Sequence, residues 1–167
     1  CFAYTCSFGV YCRSAKALSV VNVDISKKSL QRGRINYELN GFIPEKNELI
    51  YADVLKYLER AVKISNKFDL IILDPPSFAR CEGGSFSVKK DLFSVIDMSV
   101  NALNPGGVLF IATNYSAMNY DLLEDMVYEA VGKKRVKIIQ RLGQDMDFVG
   151  SGLMPESCLT ALLVKLF

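Results

Sequence analysis

Half of the 167 residues are hydrophobic, and 20 Lys+Arg stand against 18 Asp+Glu for a net charge of +2, with five cysteines and no histidine. That length supports one core burying roughly 70% of the unfolded surface and is too short for two, and no run approaches the ~20 apolar residues of a membrane helix. The missing histidine removes the commonest general base and every Ser-His or Cys-His nucleophile; with no CxxC among Cys1, Cys6, Cys12, Cys81 and Cys158, a zinc site also lacks its ligand spacing.

These features predict a soluble, cytoplasmic chain with reduced, packed thiols, without metal or membrane partner. The opening residues do not read as a basic, apolar leader, which adds to the expectation of a cytoplasmic chain. Cys1 already falls in what reads as an apolar strand, so the sequence predicts a single domain over 1–167, truncated at its N-terminus within the first strand.

In chain order, FAYTCSFGVY joins that first strand to a helix, and Leu18 to Val23 reads as a strand ending at Asp24. Ser26 caps the next helix, which places Leu30, Gly33 and Tyr37 on one face and stops at Asn40-Gly41. Glu48 to Ala52 is a strand ending at Asp53; Leu55, Leu58 and Val62 then recur at helical spacing. Phe68 to Leu73 is a continuous apolar strand ending at Asp74, and a loop at Cys81 to Ser87 follows the double proline. Leu92, Ile96, Val100 and Leu103 mark a helix closed by Asn104-Pro105-Gly106-Gly107. Val108 to Ala112 is a buried strand, and Leu123, Val127, Ala130 and Val131 form a helix face ending at Gly132. Val136 to Leu142 and Leu159 to Leu166 are two last strands, joined by a loop at Gly143 to Glu156 and able to pair antiparallel at a sheet edge. Basic clusters at Lys27, Lys28, Arg32 and Arg34 and at Lys133, Lys134, Arg135 and Lys137 read as solvated faces.

Alternation of apolar strands with helices predicts an α/β fold: a doubly wound, Rossmann-like, mostly parallel sheet with helices on both faces. Ligands of such sheets bind outside the carboxyl ends of the strands. Asp24, Asp53 and Asp74 each follow a strand, so the sequence predicts three carboxylates on one rim around a nucleoside-shaped cavity. A carboxylate after the second strand can accept both ribose hydroxyls, and Asp53 can accept from an exocyclic amino group. Taken singly, Asp24 or Asp53 reads equally well as a helix cap.

FAYTCSFGVY, VNVDIS, NYELNG, YADVLKYL, LIILDPPSFAR and NPGGVLFIATN resemble, in order and spacing, the class I S-adenosylmethionine-dependent methyltransferases, nearest the catalytic domains of the RlmI and RlmK-like ribosomal RNA large-subunit enzymes. LMPESCLTALLVKL looks like that family's PExxYLK segment. The resemblance implies a seven-stranded sheet of order 3-2-1-4-5-7-6 with an antiparallel edge strand. It also implies S-adenosylmethionine as cofactor: Phe2, Ala3, Tyr4 and Thr5 at its methionine end, Asp24 with Ile25 and Ser26 at the ribose, Ala52, Asp53 and Val54 at the adenine, and Asp74 at the cofactor as well as the base. Cys6 stands where the family usually has glycine; a side chain there could crowd the methionine moiety, but cysteine is small enough that cofactor binding is expected to survive.

Pro75 biases Asp74 to an extended conformation, and neither proline donates a backbone hydrogen bond, so the corner directs a carboxylate and carbonyls outward. It resembles the (N/D)PP(Y/F) signature of base methyltransferases, which makes Asp74, Pro75, Pro76 and Phe78 the catalytic candidates, with Phe78 stacking on an extruded base. A strand-ending turn with Phe78 in the core is the lesser alternative. Methyl transfer needs chiefly proximity and orientation, hence no histidine. Ala112-Thr113-Asn114-Tyr115-Ser116 lacks the cysteine of cytosine carbon-5 enzymes and is closer to the Ser-Asn context of the guanine-N7 enzymes, and Cys81 lies too far beyond Asp74 for the covalent route. A ring nitrogen of guanine in ribosomal RNA is therefore the expected acceptor, by a monomer or a homodimer. A small-molecule methyltransferase and a non-catalytic RNA-binding module remain alternatives.

Overall fold

Ser26 closes one strand and opens one helix, because its Oγ accepts the Ser29 N–H at 3.1 Å while its own N–H donates to Asp24 Oδ1 at 2.7 Å. The structure, a computed structural model, describes residues 1–81, 84–132, 135–143 and 159–167. They divide into two compact units, Cys1–Tyr57 and Leu58–Phe167.

In the first unit, helices α1 (Ser7–Ser14) and α2 (Lys27–Leu39) accompany a parallel pair of strands, β1 (Asn22–Asp24) and β2 (Leu49–Tyr51), with Asp24 level with Tyr51. Leu30, Gly33 and Tyr37 are the buried face of α2, as the periodicity predicts. Cys6, Val10, Leu30 and Tyr37 form the core, with Ala3, Phe42 and Leu49 packed on it. A polar thread runs through this core. Asn22 Nδ2 donates to Tyr37 Oη at 2.9 Å and to the Glu48 carbonyl at 3.3 Å. Glu48 is 2% exposed; its Oε2 accepts the Glu45 N–H at 3.0 Å and its Oε1 lies 3.7 Å from Arg13 Nε. Gly9 permits this approach, since a Cβ there would lie 2.4 Å from Asn22 Oδ1.

The predicted first strand does not form over Cys1 to Ala3. Phe2 (φ 57°) and Tyr4 (φ 46°) leave extended geometry, and the Ala3 N–H donates to the Val23 carbonyl at 3.0 Å. The predicted strand from Leu18 shortens to Asn22–Asp24, with Leu18 fully exposed. Helix α3 (Val54–Lys63) runs across the unit boundary and buries Val54, Leu58 and Ala61, a face rotated by about one residue from Leu55, Leu58 and Val62.

In the second unit, β3 (Phe68–Leu73), β6 (Leu103–Thr113), β7 (Val136–Leu142) and β8 (Thr160–Leu166) form a sheet of order β3-β6-β8-β7. Ile71, Leu73, Leu109, Ile111, Leu162 and Val164 are its buried centre. Helix α4 (Val88–Ala102) packs on β6 and on α5 (Tyr120–Val131), which covers β7 and β8. Arg141 ties β7 to α5 through Glu124 at 2.7 Å and Asp121 at 3.4 Å. The two units contain the segments 3-2 and 4-5-7-6 of the expected order, counting the unformed first strand.

Three expectations are corrected here. The antiparallel strand is β8, which pairs with β6 on one side and β7 on the other and is therefore interior; the edge strand β7 runs parallel to β6. Asn104 to Gly107 does not separate helix from strand but bulges within β6, because Leu103 already pairs with Phe68 and pairing resumes at Leu70 with Val108. Of the loop expected at Cys81 to Ser87, the described residues are instead in strands: β4 (Phe78–Cys81) pairs antiparallel with β5 (Gly84–Ser87), and residues 82 and 83 lie outside the described residues. Among the described residues, no helix is long and apolar enough to cross a membrane and no three His, Cys, Asp or Glu residues gather as metal ligands.

Candidate active site

In the first unit Asp24 is the organising group. Its Oδ2 accepts the Tyr4 N–H at 2.8 Å, its Oδ1 accepts the Ser26 N–H, and its backbone carbonyl accepts the Ala52 N–H at 3.1 Å. One residue thereby joins the Phe2–Cys6 loop, the start of α2 and the end of β2. A carboxylate has about four lone-pair sites, and two N–H bonds leave acceptor capacity for hydroxyls.

The loop is held from below as well. Asn36 Nδ2 donates to the Thr5 carbonyl at 2.9 Å, and Cys6 N–H closes a turn on the Ala3 carbonyl at 2.7 Å. Cys6 has φ 61°, which is the physical reason glycine suits this position. Cys6 is 1% exposed and turned into the core, where Gly33 of α2 makes room: a Cβ at Gly33 would lie 2.4 Å from Cys6 Sγ. Burial pushes the Cys6 thiol up to about 12, with the Asp24 charge adding to it, so it stays protonated and inert.

Asp53 shares the strand-end side of the β1–β2 pair and caps α3, its Oδ1 accepting the Leu55 and Lys56 N–H groups at 2.9 and 3.2 Å. Ile25 and Ala52 are half-buried, Ser26 is committed through its hydroxyl to α2, and Val54 is buried in the core. Phe2, Ala3 and Thr5 are half-buried and Tyr4 is exposed. Sequence reasoning missed the stack of Lys27 Nζ on the Tyr51 ring, 4.6 Å from its centroid, beside Ala52. Its signal was a basic residue opening α2 and an aromatic ending β2.

In the second unit Asp74 follows β3; its side chain is exposed on one side, and desolvation by its surroundings raises its carboxyl above the ordinary value. Pro75 is buried and Pro76 exposed. The Ser77 carbonyl accepts the Val88 N–H at 3.2 Å, closing the base of the hairpin. Phe78 opens β4 and is 59% exposed, which sets aside the core alternative. Its neighbour Phe86, on β5, fills the core instead. Ser77 Oγ donates to Asn114 Oδ1 at 2.9 Å, linking the proline corner to the end of β6; the sequence signals only the two residue types. Pro155 to Cys158, compared above with PExxYLK, lie outside the described residues.

Residues 1–165 match the S-adenosylmethionine-dependent methyltransferase family. The chain belongs to it. A relative from Photobacterium profundum named ribosomal RNA large subunit methyltransferase I is 34% identical over 158 residues, 93% of this chain and 40% of that protein. A solved structure described as a methyltransferase complexed with SAH superposes with a TM-score of 0.86 at 27% identity, covering 99% of this chain and 43% of that one. A second, from Streptococcus mutans, gives 0.85 at 25%, covering 99% of this chain and 43% of that one. The methyltransferase fold is thus the Rossmann-like α/β fold. This methyltransferase chain spans about two-fifths of the length of the curated relatives it matches. S-adenosylmethionine is the family's cofactor, and the acceptor capacity that Asp24 keeps beside its bonds to the Tyr4 and Ser26 N–H groups is of the chemistry that ribose hydroxyls call for.

Proposed function

We propose that this methyltransferase chain modifies a base of RNA, in the large ribosomal subunit and in the cytoplasm, at a ring nitrogen of guanine rather than at carbon 5 of cytosine. The observation that carries the reading is the corner from Asp74 to Phe78: a carboxylate, two rigid prolines and an aromatic ring 59% exposed. A base swung out of its stack needs an aromatic face and an acceptor for its N–H groups. The relatives named ribosomal RNA large subunit methyltransferase I support RNA as the substrate.

When bound, S-adenosylmethionine supplies a methyl group already made electrophilic by its sulfonium. The residues of this chain hold and orient. Phe2, Ala3, Tyr4 and Thr5 line the methionine end, Asp24 and Ile25 the ribose, Ala52 and Asp53 the adenine; Ser26 and Val54 contribute backbone, because their side chains are committed. Asp74 accepts a base N–H, Pro75 and Pro76 fix the corner, and Phe78 stacks. Asn114 after β6 offers no thiolate for attack on cytosine carbon 6, which favours a ring nitrogen whose lone pair takes the methyl directly. The full strand order 3-2-1-4-5-7-6 and a single domain over 1–167 rest on the resemblance.

The test is methyl transfer from labelled cofactor to ribosomal RNA taken from cells lacking the gene, followed by digestion to nucleosides. Label in a ring-methylated guanosine is expected. Label in 5-methylcytidine would overturn the choice of atom, and label in small molecules only would overturn RNA as the substrate.

A further inference from the structure

The bond from Ser77 to Asn114 joins the two strand ends that flank the proline corner. β3 and β6 are parallel neighbours with Leu73 level with Ile111, so Asp74 stands level with Ala112 and Asn114 lies two residues further out on the same end of the sheet. Both partners are anchored through neighbouring atoms. Ser77 is held by its carbonyl to Val88, and Asn114 is flanked by buried Thr113, whose Oγ1 accepts the Tyr115 N–H at 3.3 Å. With Oδ1 turned to the Ser77 hydroxyl, the Asn114 amide presents its two N–H donors on the opposite side. An acceptor-only carboxylate at Asp74 and a donor-only amide face at Asn114 thus stand at adjacent strand ends. Asn114 is exposed, and no core packing calls for an amide there.

We propose that Asn114 is a specificity-determining residue that donates to the carbonyl oxygen of the target base, O6 in guanine, with Ser77 as the positioning residue that fixes its amide. The proposal rests on the reading of the chain as a guanine methyltransferase: Asp74 takes the base's N–H donors and Asn114 its oxygen. Asp at 114 would set a second acceptor against that oxygen. A site built to hydrogen-bond a group discriminates strongly against a base that cannot answer it.

The experiment uses the full chain and two large-subunit ribosomal RNA transcripts, one made with guanosine and one with 6-thioguanosine, whose sulfur accepts hydrogen bonds poorly. For the wild type, kcat/KM should fall about 10-fold on the thio transcript. Asn114→Ala and Asn114→Asp should lose about 10- to 100-fold on the guanosine transcript and respond little to the sulfur, because the partner atom is gone. Ser77→Ala should lose part of the discrimination and Ser77→Thr, which keeps the hydroxyl, should restore it. Titration of S-adenosylhomocysteine should give unchanged affinity for all four variants. Variants that keep wild-type rates and the full sulfur effect overturn this inference alone. A wild type that labels no guanosine overturns it together with the reading beneath it.

Discussion

Cys6 and Gly33 illustrate how one backbone conformation is offset by one missing side chain. Cys6 carries a left-handed φ that glycine would adopt without strain, yet its thiol is buried in the space that Gly33 leaves. Gly33→Ala should destabilise the fold by about 2 kcal/mol, as overpacking does, and adding Cys6→Gly should recover at least half of that in a double-mutant cycle read by denaturant unfolding. Additive effects would mean the two sites do not touch. The Cys6 thiol, raised from 9.0 to about 12, also has a pH signature. Above pH 9 the unfolded chain releases this proton and the folded chain does not, so stability should decline between about pH 9 and pH 12 at up to ~1.4 kcal/mol per pH unit, and Cys6→Ala should flatten that window. At Asp74 the carboxyl is raised, again by desolvation, and the base contact needs it ionised. The acid limb of kcat/KM should therefore lie above that of an unperturbed aspartate, and Asp74→Asn should remove the limb along with most of the activity.

At the scale of elements, the first unit depends on a buried polar thread as much as on apolar packing. Arg13→Ala leaves the Glu48 carboxylate, 2% exposed, without its cation and should cost about 3 kcal/mol in thermal or denaturant unfolding. A loss near zero would show that the 3.7 Å pair contributes nothing. Elements with a full local signature were legible from sequence. Helix α2 has its Ser26 cap, its Leu30, Gly33 and Tyr37 face and its Asn40-Gly41 stop, and the structure reproduces all three. The hairpin of β4 and β5 was not legible, because Phe78 to Ser87 is short and small-residue rich, and a Gly-Gly dipeptide marks a plain loop as well as a turn. The reversal of β8 was legible in two steps: the connection gives an antiparallel pairing of the last two strands, while the place of β8 between β6 and β7 came only with the order that the family resemblance implies, because it is a matter of sheet topology and not of local pattern.

At the scale of the whole molecule, the candidate site was legible to the extent that strand-end residues are. Asp24 ends β1, Asp53 lies two residues beyond β2, Asp74 directly follows β3, and Phe78 is exposed. The helix cap at Asp53 is one of the two readings the sequence offers there; what sequence could not supply were the Tyr4 N–H on Asp24, the bond from Ser77 to Asn114 and the inward turn of Cys6. Each depends on residues distant in the chain or on a rotamer. A net charge of +2 gives little electrostatic grip on a phosphate backbone, so the chain by itself should bind RNA weakly and with a shallow salt dependence in filter binding. The central claim is a division of labour, with Asp24 serving the cofactor and Phe78 the base. Calorimetric titration of S-adenosylhomocysteine into the wild type, Asp24→Ala and Phe78→Ala tests it most directly. The account predicts a loss of at least about 10-fold for Asp24→Ala, as for a pair of hydrogen bonds to one carboxylate, and wild-type affinity for Phe78→Ala. Undiminished binding by Asp24→Ala, or an equal loss in Phe78→Ala, would contradict it.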